Sequence, residues 1–201
     1  MILNIQTALT EAASDKNFHL PDVKVEADSI RTIMINEVVP ADPSQDFYGR
    51  SESAEYLKTA IPLFQNAGIK ADSITDILSM GIYITNAVKI PKDAYTIEKS
   101  TIEESLCILE KEIGLFPKAE VIMLMGDVAK KAFNMIARKK TGKNVIPAGS
   151  TYKLRSQEFY YGSIRVFPSY IMTGGNILIE KSKFRMVTED IGAMFNIIQR
   201  T

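Results

Sequence analysis

The sequence predicts an α/β fold with a largely parallel sheet, and two observations indicate it. Segments with apolar residues at helical spacing alternate with short apolar runs, a pattern typical of βαβ units. The chain has 201 residues, 46% of them hydrophobic, which suits one domain with a substantial core. Because no internal repeat or long linker divides the chain, we expect a single domain over residues 1–201.

Short apolar runs are the predicted strands of this sheet. They are residues 30–39, 82–88, 121–125 and 164–167. Pro40 stops the first run, and Gly126 turns the third directly into a helix. Between the third and fourth strands, residues 152–154 and 158–161 predict an antiparallel hairpin.

Helices are predicted where apolar residues recur every three or four positions. The helical segments are an N-terminal one from residue 2 to about residues 14–17, then residues 51–66, 73–80, 101–114, 127–138 and 183–198. Pro62 lies inside the second segment and should kink the helix or split it in two. Asp72 or Ser73 is a predicted N-cap, and Thr101 with Glu104 fits a capping box.

Charge and composition exclude several classes of protein. Basic and acidic side chains number 24 each; the first 100 residues carry 9 basic and 14 acidic ones, and the rest carry 15 and 10. This allows a positive face but excludes an overall basic coat for nucleic acid. A single Cys107 and a single His19 are too few for a disulfide, a cysteine metal site or an iron–sulfur cluster, so we expect no metal and no cofactor.

The sequence also predicts the cellular location of the protein. No segment approaches the roughly 20 apolar residues that span a bilayer, and the N-terminus lacks a basic region followed by an apolar run. We therefore expect a cytoplasmic protein with no membrane partner. His19 is predicted at the surface, and Cys107 in the core among the apolar residues of its helix.

Polar and aromatic residues follow the predicted strands, where open α/β sheets bind ligands. The loop after the first strand contains Glu37, Asp42, Asp46, Phe47 and Tyr48. Asn86 ends the second strand, and Ser169, Thr173 and Gly174 follow the fourth. Because the carboxyl ends of parallel strands meet at one edge of a sheet, a common pocket is expected there. Each residue also has a purely structural alternative. These are backbone hydrogen bonding at a strand end for Asn86, solvated turns for Glu37 and Asp42, packing at the pocket rim for Phe47 and Tyr48, and an ordinary turn at Gly174.

Four blocks of the sequence, in the same order, resemble the uracil-DNA glycosylase superfamily. INEVVPADPSQDFYG (35–49) is similar to the water-activating loop, and IYITNAVK (82–89) to the strand that ends in the base-reading Asn. VIMLMGDVAKKAF (121–133) is similar to the Gly-turn-helix block, and VFPSYIMT (166–173) with EDI (189–191) to the last motif. The resemblance implies a three-layer α/β/α sandwich around a mainly parallel four-stranded sheet.

The resemblance also implies an enzyme that hydrolyses the N-glycosidic bond of uracil or a related damaged base in DNA, as in base excision repair. DNA, single-stranded or containing uracil, would be the partner. Glu37 and Asp42 would orient water and counter the positive charge of an oxocarbenium-like sugar. The substrate-binding residues would be Phe47, Tyr48, Asn86, Ser169, Thr173 and Gly174. The amide of Asn86 matches a donor and acceptor pair on a pyrimidine edge.

The sequence departs from the family pattern at two positions. Ile171 stands where the family has a catalytic His, and Ile cannot donate a hydrogen bond to a departing base. The first block has one extra residue between Glu37 and Pro40. Two other functions therefore stay open: a catalytically silent homologue that binds a nucleobase, nucleotide or nucleic acid, and a small-molecule enzyme that shares only the architecture.

Overall fold

Seven strands and eight α-helices are present in a computed structural model that describes residues 1–13, 17–51, 53–92 and 96–200. The strands are β1 (Ile2–Asn4), β2 (Lys24–Glu26), β3 (Thr32–Val38), β4 (Ile82–Val88), β5 (Val121–Met125), β6 (Phe159–Tyr161) and β7 (Ile164–Ser169). The helices are α1 (Ile5–Ala13), α2 (Glu55–Asn66), α3 (Ile74–Ser79), α4 (Lys99–Gly114), α5 (Asp127–Thr141), α6 (Thr151–Leu154), α7 (Asn176–Ile179) and α8 (Lys181–Gln199).

The central sheet has five strands in the order β4-β3-β5-β7-β6. The first four are parallel, and β6 adds an antiparallel edge. Residues on β3 and β4 pair in register, so Asn36 lies opposite Asn86 at the carboxyl ends of the two strands. The expected α/β fold with a mainly parallel sheet is confirmed.

Helices cover both faces of this sheet because its strands are apolar on both sides. Ile33, Ile35 and Ile122 belong to a core that includes buried residues of α1, α4 and α5. Met34 and Met123 belong to a second core, shared with buried residues of α2, α3 and α8. The layers are therefore helix, sheet and helix, as expected. No helix in the described part of the chain is long and apolar enough to cross a membrane.

The prediction of four strands was wrong, and so was the predicted hairpin. Residues 152–154 lie in the one-turn helix α6, where Leu154 is buried. β6 pairs instead with β7, through a two-residue turn between Tyr161 and Ile164. Residues 164–166 of the predicted fourth strand thus also form one arm of a hairpin, with β6 as the other arm.

Three smaller predictions also need correction. Residues 2–4 form β1, which pairs with β2, so the first helix begins at Ile5. The helix was expected to end at about residues 14–17, and of these, residues 14–16 lie outside the described residues. The N-cap of α4 is Glu98 rather than Thr101. Cys107 is exposed, because the buried residues of α4 follow another stripe, at Ile102, Ser105, Ile108, Leu109 and Glu112.

Other local predictions agree with the structure. Ser73 caps α3 in a capping box with Asp76: each side chain bonds the other residue's backbone N–H. Pro62 is the exception: it lies inside α2 but does not split the helix, which is continuous from Glu55 to Asn66. Gly126 leads directly from β5 into α5.

Candidate functional site

A network of hydrogen-bonded polar side chains joins the ends of β3 and β4 to the loops beyond them. Thr173 Oγ1 donates to Asn36 Oδ1 (3.2 Å), and Asn36 Nδ2 donates to Asn86 Oδ1 (2.9 Å). Asn86 Nδ2 in turn donates to both carboxylate oxygens of Asp46, at 2.9 and 3.1 Å. Because both ends of the Asn86 amide have internal partners, its orientation is fixed by the protein.

Glu37 projects from the next position of β3 towards the start of α5. Its Oε1 accepts a hydrogen bond from the backbone N–H of Val128, at 3.0 Å. Burial raises the pKa of the Glu37 carboxyl, and this effect outweighs the hydrogen bond from Val128, which lowers it. A half-buried carboxyl held by a helix amide at a strand end is well placed for acid–base or electrostatic chemistry.

Two cavities meet at Glu37, and together they form what we call the Glu37 cleft. One has a volume of about 380 Å³ and is lined by Gly126, Ser169, Tyr170 and Lys183 among others. The other has a volume of about 290 Å³ and is lined by Val38, Tyr56, Lys92, Thr173 and Gly174 among others. Glu37 and Ile171 line both. The cleft therefore lies at the carboxyl ends of the strands, where α/β sheets bind ligands.

Half of the predicted site residues line this cleft: Glu37, Ser169, Thr173 and Gly174. The Ser169 hydroxyl also donates to Asp190 (2.6 Å), and Asp190 is paired with Arg155 (2.7 Å). Thr173 connects the cleft to Asn36. Asn86 is not among the residues that line the cleft, because Asn36 lies between it and Thr173.

The two predicted catalytic acids have different surroundings. Asp42 is exposed, and its carboxylate accepts hydrogen bonds from the backbone N–H and the hydroxyl of Ser44, each at 2.9 Å. These bonds lower the pKa of Asp42. It therefore stabilises a turn and does not line the Glu37 cleft.

The two predicted stacking residues also lie away from the cleft. Phe47 is 1% exposed and packs in the core, with its ring centroid 5.2 Å from that of Tyr56. Tyr48 stacks on Tyr83 at 5.7 Å, and its hydroxyl accepts the backbone N–H of Ile84. Neither ring lines the cleft. Tyr56 and Tyr170 are the aromatic residues among its lining, and the Tyr56 hydroxyl donates to Val38 O at 2.6 Å.

Sequence reasoning missed Asn36, Asp46 and Tyr56 as site residues. Register could have revealed Asn36, since it sits opposite Asn86 on paired strands. Asp46 is largely buried, and burial raises the pKa of its carboxyl despite hydrogen bonds from Asn86 and Phe47. No local signal marks which of the acids in this loop turns inward.

Gly126 makes the position of Glu37 possible. Its φ is +112°, and a Cβ on this residue would overlap the Glu37 carboxylate. We expect Gly126→Ala to lower the free energy of unfolding by about 1–3 kcal/mol from backbone strain alone, and to displace Glu37. Gly142, at the other end of α5, has φ +75° with nothing near its missing Cβ, so Gly142→Ala is the matched control. Equal losses for both variants in urea unfolding would contradict the proposed close approach.

No known protein-family model and no curated protein matches this chain.

In the described part of the chain, no group of three His, Cys, Asp or Glu side chains is arranged to hold a metal ion. The fold and the cleft therefore define the class of site: a carboxylate-bearing cleft at the strand ends of an α/β/α domain. Its functional groups are two carboxyl groups, of Glu37 and Asp127, two tyrosine rings, two lysines and hydroxyl groups.

Proposed function

We propose that this chain is a DNA glycosylase of the uracil-DNA glycosylase type, which hydrolyses the N-glycosidic bond of uracil or a related damaged base in DNA. One observation carries the proposal: the half-buried carboxyl of Glu37 lies where two cavities meet, at the carboxyl ends of the parallel strands. Removing a base generates positive charge on the sugar, and a carboxylate beside that sugar counters it and orients the attacking water.

The surroundings of Glu37 suit such a reaction. The backbone N–H groups of Val128 and Asp127 both bond to the Glu37 carboxylate, and its two oxygens can accept about four hydrogen bonds, which leaves capacity for water or for the sugar. Tyr56 provides an aromatic surface in the same cleft, and base stacking on such a ring contributes about 1–3 kcal/mol. Lys92 and Lys183 line the two cavities and bring positive charge to the cleft, where Lys183 is paired with Glu180 at 2.5 Å and a phosphate would compete with that carboxylate.

Exposed apolar side chains beside the cleft favour DNA over a free nucleotide. Leu178 is 48% exposed and Ile179 is 74% exposed, both in α7, which begins two residues after the cleft residue Gly174. Proteins that kink DNA from the minor groove often insert apolar side chains between base steps. A small nucleotide would need no such surface.

A catalytically silent homologue that binds a nucleobase, nucleotide or nucleic acid is the second candidate. It is favoured by the internal hydrogen bonds at both ends of the Asn86 amide. It is also favoured by Ile171, which lines both cavities without a polar side-chain group. Such a protein would bind the strand and leave the base in place.

An excision assay separates these candidates. We would incubate excess protein with single- and double-stranded oligonucleotides containing uracil or hypoxanthine, detect abasic sites by alkaline cleavage, and measure binding by fluorescence anisotropy. We expect slow cleavage that depends on the damaged base, with thymine- and adenine-containing strands as matched controls. Binding without cleavage would support the silent homologue. The absence of both cleavage and binding would contradict both candidates.

A further inference from the structure

Residues 128–157 form a basic stretch with no acidic side chain. They contain eight of the 24 Lys and Arg residues and no Asp or Glu. The stretch covers α5 after its first residue, the loop that follows, and α6. Asp127, directly before the stretch, and residues 149–151 within it line the same cavity of the Glu37 cleft. This excess of positive charge therefore starts at the rim of the cleft and returns to it.

Half of these basic side chains have no counter-charge within the protein. Ion pairs with nearby carboxylates neutralise the other half, which are Lys130, Lys139, Lys140 and Arg155. Those that make no ion pair with a described residue are all exposed; they are Lys131, Arg138, Lys143 and Lys153. Exposed charges of one sign without internal partners attract an external anion.

Two of the unpaired cations lie on one face of α5, in line with the cleft. Lys131 is one helical turn beyond Asp127, and Arg138 is about two turns beyond Lys131. At a rise of 1.5 Å per residue, the two lie roughly 6 and 16 Å from Asp127 along the helix axis. The exposed face of α5 thus leads away from the cleft past two free cations.

The third unpaired cation, Lys143, lies in a loop that runs back along α5. Asn134, three residues after Lys131, lies on the same face of the helix. Its side chain accepts from the backbone N–H groups of Val145 (3.0 Å) and Ile146 (2.9 Å) and donates to the carbonyl of Ile146 (2.8 Å). The loop is therefore fixed beside the helix before it reaches the cleft. We call Lys131, Arg138 and Lys143 the α5 track.

An exposed aromatic ring lies next to the cleft in the same stretch. Tyr152 is 68% exposed and directly follows Thr151, which lines the cleft, while the unpaired Lys153 comes next. Proteins bind single-stranded nucleic acid with this combination, since aromatic rings stack on bases and cations pair with phosphates. A duplex keeps its bases stacked on each other and leaves none for Tyr152.

We infer that single-stranded DNA runs from the Glu37 cleft along the α5 track. Its phosphates pair with Lys131, Arg138 and Lys143, and one unpaired base stacks on Tyr152. The choice of DNA rests on the proposed function, whereas the surface itself is defined by charge and by the exposed ring. A free nucleotide in the cleft would not reach Arg138, roughly 16 Å from Asp127.

The salt dependence of strand binding tests the α5 track. We would titrate a fluorescent oligothymidylate with the protein at several salt concentrations and follow anisotropy. The logarithm of the binding constant falls with the logarithm of salt concentration by about 0.7 per phosphate contact on a single strand. Lys131→Ala/Arg138→Ala should therefore weaken binding and reduce this slope by about 1.4.

A second double variant is the matched control. Lys24 and Lys70 are also exposed and lie outside the basic stretch, so Lys24→Ala/Lys70→Ala removes the same net charge. We expect it to bind the strand with the slope of the wild type. Equal changes in the two double variants, or an unchanged slope in Lys131→Ala/Arg138→Ala, would overturn the inference. So would binding of labelled polyglutamate as tightly as of the oligothymidylate, which would indicate an acidic protein partner.

Variants of Tyr152 test the preference for an unpaired strand. Tyr152→Ala should weaken binding of the oligothymidylate at least about fivefold, the usual effect of losing one stacked base, and leave the salt slope unchanged. Tyr152→Phe keeps the ring and should bind like the wild type. Duplex DNA should bind more weakly than the single strand and be insensitive to Tyr152→Ala. Equal binding of single strand and duplex, with no effect of Tyr152→Ala on either, would refute the single-stranded partner.

The outcome is separable from that of the excision assay, because oligothymidylate contains no base to excise. Strand binding that depends on the α5 track, without excision of uracil, would refute the enzyme and leave this inference standing. Excision of uracil with no effect of the Lys131→Ala/Arg138→Ala variant on strand binding would refute this inference alone.

Discussion

Replacing Lys89 with Met is expected to lower the free energy of unfolding by about 3–5 kcal/mol. Lys89 and Glu112 are both 0% exposed, and Lys89 Nζ lies 2.5 Å from Glu112 Oε2. The other oxygen of Glu112 accepts hydrogen bonds from Tyr83 (2.6 Å) and Thr85 (2.8 Å). Removing the ammonium group leaves a buried carboxylate without its counter-charge, which is the costly outcome for a buried ion pair.

Chemical unfolding measured by circular dichroism checks this prediction, and a second ion pair provides the control. Lys58 and Glu55 are also in contact, at 2.6 Å, but their side chains are 52% and 65% exposed. We expect Lys58→Met to change the free energy of unfolding by only about 0–1 kcal/mol, as is usual for exposed pairs. A loss below about 1 kcal/mol for Lys89→Met would contradict the assignment.

The double variant Lys89→Met/Glu112→Leu shows whether the charge or the packing is responsible. We expect it to lose less stability than the sum of the single variants, because it leaves no unpaired buried charge. Some loss should remain, since the hydroxyls of Tyr83 and Thr85 lose their acceptor. Additive losses would mean that the two side chains contribute independently.

Much of the fold could be predicted because the sheet is buried on both faces. The run 121–125 is wholly apolar and all five residues are buried, so its pattern alone identified β5. The edge of the sheet could not be predicted in the same way. β6 is only partly buried, and its pairing with β7 depends on a short turn rather than on burial. The one-turn helix α6 is likewise too short to show a helical period.

The candidate site was only partly predictable, for a different reason. Strand ends locate the region, so Glu37, Ser169 and Thr173 were found from their positions alone. Which loop side chains turn inward depends on packing between distant segments: Phe47 fills the core beneath α2, while Asp46 beside it bonds to Asn86. Lys89 directly follows β4, and Glu112 lies on α4. In the sequence each resembles a solvent-exposed charge, and their ion pair becomes evident only in the folded structure.

The second large effect is expected at Glu37. If the chain excises bases as proposed, Glu37→Gln should lower the single-turnover rate about 100- to 1000-fold, the usual loss when one electrostatic group at a reacting centre is removed. Gln keeps the shape and can still accept the hydrogen bond from Val128. Asp42→Asn should reduce the rate far less, because Asp42 is an exposed turn former. A larger loss for Asp42→Asn would transfer the catalytic role to that residue.

The pH dependence of the same variant distinguishes a catalytic Glu37 from a structural one. Burial raises the folded-state pKa of Glu37, so the ionised carboxylate, which the reaction requires, forms only as pH rises through that raised value. The excision rate should therefore rise with pH in the wild type and lose this step in Glu37→Gln. The free energy of unfolding should change in the opposite direction. As pH rises from the pKa of Glu37 in the unfolded chain to its higher pKa in the folded protein, the wild type should lose stability relative to Glu37→Gln. Above the folded-state pKa the difference between the two proteins should stay constant. If Glu37→Gln were inactive and also less stable than the wild type at high pH, Glu37 would have a structural role rather than a catalytic one.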